Sequence, residues 1–408
     1  MTSAWIDLPS HRRWLAGHFE QLLAFGRRTP FPGGGAAWLD DTGAPWLEQG
    51  VHTWITCRTA HVYSLGALLG IPGSRPIAQA ALDGLTGTLR DATSGGWFTQ
   101  RNADGSTPDE KAAYSHAFVM LAASSATVAG LSGAASLLTE ATGIFRQRYW
   151  DEDAGRVVDT WDRTFTSLDP YRGLNANMHT VEAFLAVADV TGERVWLERA
   201  GRIAAFAVEA AAANQWRLPE HYDATWRVDL ELNADRPDDP FKPYGATIGH
   251  GLEWARLLLH LEAAGATGVD WLSAAVALFD RAVADGWSAD GAEGFVYTTD
   301  WSGRPVVRDR MHWVVAEAIG ASAALFQRTG ETRFAERYAQ SWDYAHRYVI
   351  DHEHGSWHHQ LDATNRPSGT VWPGKADLYH AAQATLIPLL PLAPTLATSL
   401  AKGLVSRG

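Results

Sequence analysis

The feature that most restricts the fold of this 408-residue chain is a unit that recurs six times, about every 55 to 70 residues. Each unit carries a short aromatic stretch rich in turn residues: GGAAWLDDTGAPW, GGWFTQRNADGS, GRVVDTWDRT, QWRLPEHYDATW, GFVYTTDWSGRP and GSWHHQLDATNRP. Alternation followed by Asp or Asn with Gly or Thr is hairpin chemistry. After each stretch comes a helical segment with polar or aromatic residues near its start and small apolar residues beyond. The six are HTWITCRTAHVYSLGALLG, KAAYSHAFVMLAASSATVAG, NANMHTVEAFLAVADVTG, GHGLEWARLLLHLEAAGATG, MHWVVAEAIGASAALFQRTG and ADLYHAAQATLIPLL. The first five close on glycine, a common helix stop. Between units lies an ordinary amphipathic helix, such as ERVWLERAGRIAAFAVEA, whose charged face reads as solvated.

Six outer–inner helix pairs with six hairpin-like connections predict an all-α fold, an (α/α)6 barrel with short β-hairpins at one end. It would form a single domain over residues 1–408. Ala- and Gly-rich inner helices would pack closely round the axis, all starting at the hairpin end, where a cavity would open. The rival is an open α-solenoid. Six units with uniformly polar helix starts favour closure.

Bulk properties narrow the function. A net charge of −12 argues against nucleic acid and against an anionic membrane surface, both of which need a basic face. Lysine is confined to Lys111, Lys242, Lys375 and Lys402. Cys57 is alone, which excludes an internal disulfide and a thiolate zinc cage. The start, MTSAWIDLPSHRRW, lacks the basic-then-apolar pattern of a secretory signal. The most apolar tract, AAQATLIPLLPLAPTLATSLA, is broken by Pro388, Pro391 and Pro394 and reads as a buried last helix and tail. A cytoplasmic protein is expected. The 19 Trp residues suit the walls of a sugar cleft, where ring faces meet C–H groups.

The starts of the inner helices converge on one chemistry. They offer Trp54, Arg58 and His61; Tyr114 and His116; Asn175, His179 and Glu182; His250 and Glu253; His312, Trp313 and Glu317; and His380. A lone His on an apolar helix is usually a satisfied core histidine, and His61 and His116 fit that reading. The three glutamates could equally be structural, bonded to neighbouring helices. Six helices bringing such residues to one end of a barrel make a polar pocket with aromatic walls, suited to a small polar ligand.

Several chemistries are open to it. His250 and Glu253, three apart on one helix face, and the cluster DHEHGSWHHQ (His352, His354, His358, His359) are conceivable metal ligands, but no HExxH motif occurs, and no bound metal is expected. No GxSxG elbow supports nucleophilic hydrolysis. A glycosidase would need two carboxylates across the scissile bond, for which Glu253 and Glu317 are available. Isomerisation of a sugar needs a base with a pKa near neutrality, which His supplies directly. Two His on opposite walls could divide proton transfers, with Arg58 hydrogen-bonding the developing enediolate oxygens.

TWITCRTAHVY, YSHAF, NANMHTVEAFL, GHGLEWARL and GKADLYHA, in that order from about Trp54 to about His380, resemble the N-acylglucosamine 2-epimerase superfamily. NANMHTVEAF and GHGLEW carry most of the weight. Within it the wording is most similar to aldose–ketose isomerases acting on D-mannose. The resemblance implies an (α/α)6 barrel, a cis-enediolate intermediate, no metal or other cofactor, and a free monosaccharide as the only partner of a monomer or homodimer. It makes His250 and His380 the catalytic pair. His380 would take the C2 proton and return it to C1, and His250 would open the ring and move protons among oxygens, although the two roles could be exchanged. Glu253 would orient His250. Arg58, Tyr114, Asn175 and His179 match sugar-contacting positions, and Trp54, Trp313 and Glu317 would line the same cleft. Relatives differ in outcome: some are 2-epimerases, some act on disaccharides, some on a sulfonated glucose. A small Ala376 before DLYHA suits an unsubstituted hexose, while Lys242 keeps a sulfonate in play.

Overall fold

The computed structural model describes residues 4–405. The chain alternates outer and inner helices in six successive pairs. These are α1 (Pro9–Phe25) with α2 (Thr53–Leu68), α3 (Ser74–Thr86) with α4 (Ala113–Val128), and α5 (Ala134–Arg148) with α6 (Leu174–Thr191). Then come α7 (Arg194–Ala213) with α8 (Ile248–Ala263), α9 (Trp271–Gly286) with α10 (His312–Thr329), and α11 (Thr332–Tyr344) with α12 (Tyr379–Leu386). The even-numbered helices form a closed inner ring in which α12 packs against both α10 and α2. The chain is therefore an (α/α)6 barrel, and the open solenoid is excluded.

Composition sorts the two layers. In α4 an unbroken run from Ser115 to Ala126 is buried, as expected of a helix apolar on all sides and surrounded by others. In α11 only Phe334, Ala335, Tyr338, Ser341, Trp342 and Tyr344 are buried, the spacing of a one-sided helix. Gly192 and Gly330 end α6 and α10 with φ of 73° and 71°, the left-handed cap that a side chain disfavours.

The aromatic stretches are hairpins whose tips are set by aspartate. Asp300 Oδ1 accepts from the N–H groups of Ser302 (2.8 Å) and Arg304 (2.9 Å), and Asp362 Oδ1 from Thr364 (2.7 Å) and Arg366 (3.0 Å). These are Asx turns, in which a side chain replaces a backbone acceptor. The hairpins also pair outward. The two residues before an inner helix join the hairpin of the next unit: Val51–His52 with Gln100–Arg101, Lys111–Ala112 with Thr160–Trp161, and Arg172–Gly173 with His221–Tyr222. Ala246–Thr247 with Thr298–Thr299 and Arg310–Met311 with Gln360–Leu361 continue the series, all antiparallel. Closure is made by different bonds: Trp38 Nε1 donates to the Pro373 carbonyl (2.8 Å) and Lys375 N to the Leu39 carbonyl (2.8 Å).

The opposite end is covered by the segment after α12. Its helix α13 (Leu396–Ala401) packs on α2 and α4, and His260 Nδ1 donates to the Leu392 carbonyl at 2.6 Å. Among the described residues no helix is long and apolar enough to cross a membrane.

Candidate active site

At the hairpin end the inner helices surround an open cavity. Trp54, Arg58, Tyr114, Asn175, His179, His250, Glu253, Trp313 and His380 all line it. The strand pairs hold five of the six helix starts at the rim, and the bond from Lys375 N to the Leu39 carbonyl holds the approach to the sixth, which is how residues from six distant segments meet.

Two histidines stand on either side of one indole. The Trp313 ring centroid lies 5.0 Å from that of His250 and 5.7 Å from that of His380. Gly249 makes this possible: a Cβ there would lie 2.2 Å from the Trp313 ring. Each histidine gives Nδ1 to a buried carboxylate, His250 to Glu220 Oε2 (2.7 Å) and His380 to Glu317 Oε1 (2.8 Å). A carboxylate only accepts, so Nδ1 carries a hydrogen, and in the neutral ring the lone pair is on Nε2. Burial pushes His380 well below the ordinary imidazole value, which keeps it neutral and available as a base.

Two expectations need correction. Glu253 does not orient His250. Spacing of three places two residues on one face, but the imidazole turns to Glu220, whereas Glu253 Oε1 meets Arg256 Nη2 at 3.4 Å, one turn further along. Glu317 does not line the cleft; it lies behind His380 and accepts from Arg256 Nε at 2.9 Å. Glu220 had no signal among the helix starts. It sits in the hairpin PEHYD, where its backbone carbonyl accepts from Leu174 N at 3.0 Å beside the Arg172–Gly173/His221–Tyr222 pair.

One wall is a fixed cation. Arg58 donates to Asp377 Oδ2 (3.0 Å) and to the Tyr114 hydroxyl (3.1 Å), with its guanidinium over Trp54, Phe118 and Tyr379 at 4.7–5.0 Å. Burial works against its charge, but Tyr114 and Asp377 raise its pKa further, so it stays ionised. His312 and His359, stacked at 3.9 Å, and Asp377 complete that wall. Phe241 and Trp372 form the mouth, 5.4 Å apart.

Other candidates fall elsewhere. His116 accepts from Trp97 N (3.2 Å), and His61 Nδ1 pairs with Ser125 Oγ (2.7 Å) near the far end. Asp351 gathers His354, His358 and Lys375, the last at 2.6 Å. Among the described residues, only His179, Glu182 and Glu253 bring three ligand-type atoms within 4.8 Å. Glu182 already accepts from Tyr379 and Gln383, and Arg256 adds a positive charge beside Glu253, so the trio is poorly suited to a cation. Ala376 borders a different small cavity, and Lys242 Nζ lies 3.9 Å over the Tyr171 ring, so neither bears on this cavity as expected. Glu253 and Glu317, both held to Arg256, cannot flank a glycosidic bond.

A sequence model of the N-acylglucosamine 2-epimerase family matches residues 34–384. The chain belongs to that family. It is 54% identical over 401 residues to a D-mannose isomerase of Thermobifida fusca, covering 97% of this chain and 98% of that protein. It is 44% identical to one of Pseudomonas cannabina pv. alisalensis, covering 98% and 97%. A crystal structure of D-mannose isomerase superposes with a TM-score of 0.87 at 27% identity, over 92% of this chain and 97% of that one.

Proposed function

We propose that this chain is an aldose–ketose isomerase that interconverts D-mannose and D-fructose, with D-lyxose and D-xylulose as a second pair. The observation that carries the reading is the arrangement of His250 and His380 across Trp313, each with a carboxylate on Nδ1 and a free Nε2 at the cavity. The full-length likeness to two D-mannose isomerases supports the choice of sugar.

His250 takes the O1 proton of the pyranose and delivers it to O5 as the ring opens. His380 Nε2 then removes the C2 proton. The C2–H electron pair becomes the C1–C2 double bond, and the carbonyl pair moves onto O1, giving a cis-enediolate. Arg58 stabilises that charge. His380 returns its proton to C1 while O2 becomes the ketone, its hydrogen passing to O1 through His250. The chemistry asks for no metal.

Mannose incubated with the protein and EDTA, followed by sugar chromatography, should yield fructose. Glucose in its place would make the chain a 2-epimerase, and loss of activity restored by zinc would overturn the metal-free route. C2-deuterated mannose, in a single turnover, should leave label at C1 of fructose. His380→Ala should lower kcat by about 10²- to 10⁴-fold, the usual contribution of a general base.

A further inference from the structure

Beneath the cavity three buried glutamates from successive inner helices, Glu182, Glu253 and Glu317, share one guanidinium, Arg256. They are not served equally. Glu317 accepts from His380 Nδ1 (2.8 Å) and Arg256 Nε (2.9 Å). Glu182 accepts from Gln383 Nε2 (2.8 Å) and the Tyr379 hydroxyl. Glu253 has only the 3.4 Å contact from Arg256 on Oε1, and its Oε2 is buried with no partner. The residue is 1% exposed yet lines the floor of the cavity.

A buried carboxylate stays ionised when donors and a positive charge surround it, and takes up a proton when they do not. From these contacts we infer that Glu253 is a neutral carboxylic acid at working pH and donates a hydrogen bond to the enediolate, acting as a second, uncharged partner to Arg58. The inference rests on the isomerase reading. An ionised Glu253 at the floor would repel the charge that develops on O1 and O2; a protonated one stabilises it.

The surroundings agree. From α6, His179 Nδ1 lies 3.9 Å from both Glu253 and Glu182, and burial lowers its pKa to about 4, so it brings no positive charge. Glu317 of α10 and Glu182 of α6 add negative charge, Tyr114 and Tyr379 are neutral phenols, and Arg58, which pulls the other way, is already paired with Asp377. On its own helix, Arg256 is shared with Glu317, and His250 is turned to Glu220. Burial and the charge of Glu317 push the Glu253 carboxyl well above the usual carboxylate range.

The test is infrared spectroscopy of the whole protein in D₂O at about pH 8, where ordinary carboxyls are ionised. ¹³C-labelled glutamate separates the signal from aspartates, including Asp159, which burial pushes up to about 6. A protonated glutamate band is expected in the wild type and absent from Glu253→Gln. Deprotonation of Glu253 should make wild-type kcat fall at alkaline pH. Glu253→Gln, still a neutral donor, should keep kcat within about tenfold and lack that fall, whereas Glu253→Ala should lose about 10²- to 10³-fold. Absence of the band in the wild type overturns the inference, whether or not the variants fold. So does a folded Glu253→Gln as slow as Glu253→Ala. Failure of the wild type to make fructose overturns the isomerase reading instead, since the band is read without substrate.

Discussion

His250 and His380 share a plan: the nitrogen away from the sugar is bonded to a buried carboxylate, which fixes the tautomer and supports the imidazolium that forms in turnover. Glu220→Gln and Glu317→Gln keep the shape but remove the charge. Each should lower kcat by about 10²-fold or more with KM little changed, measured by initial rates on folded protein. The histidines themselves were legible because each opens an inner helix. Their partners were not, because a carboxylate thirty residues upstream in a hairpin gives no periodic signal, and because a spacing of three fixes a face but not the direction in which a side chain turns. Two of the four lysines, which looked merely scarce, prove to be buried pins: Lys111 meets Asp91 at 3.1 Å and Lys375 meets Asp351 at 2.6 Å.

Among elements, the inner helices were readable from polar starts, small interiors and glycine stops. Glycine does more than stop them. A Cβ on Gly249 would enter the Trp313 ring, the element between the two histidines. Gly249→Ala should therefore lower turnover sharply while leaving far-ultraviolet circular dichroism unchanged. Gly84 of α3 faces rigid backbone instead: its Cβ would lie 2.3 Å from N and Cα of Gly35. Gly84→Ala should cost about 1–3 kcal/mol of stability or more, read from the denaturant midpoint, because backbone cannot step aside as a side chain can. The last inner helix was expected from Ala376 but runs only from Tyr379 to Leu386: at its start Asp377 Oδ1 accepts from Tyr379 N at 2.8 Å, and past its end Pro388 lacks the N–H an α-helix needs.

At the scale of the whole molecule, the six-fold count revealed a closed ring, because six equivalent polar starts need a common end to face. What holds the ring shut was hidden, since it joins residues far apart by backbone atoms that any sequence possesses. The far end is separable from the chemistry. Removing residues 391–408 uncovers His260 and the apolar ends of α2 and α4, so the melting temperature should fall by several degrees. Mannose turnover at lower temperature should survive, because none of the described residues in that segment lines the sugar cavity. Each strand pair at the mouth couples a unit to its successor, so five of the six joints can form as their neighbours in sequence arrive. The sixth brings together Trp38 and Pro373, 335 residues apart. Loop closure of that length is slow. This barrel thus has a seam, where two distant segments must find each other beside Trp54, and the sugar cavity is complete only when the ring has shut.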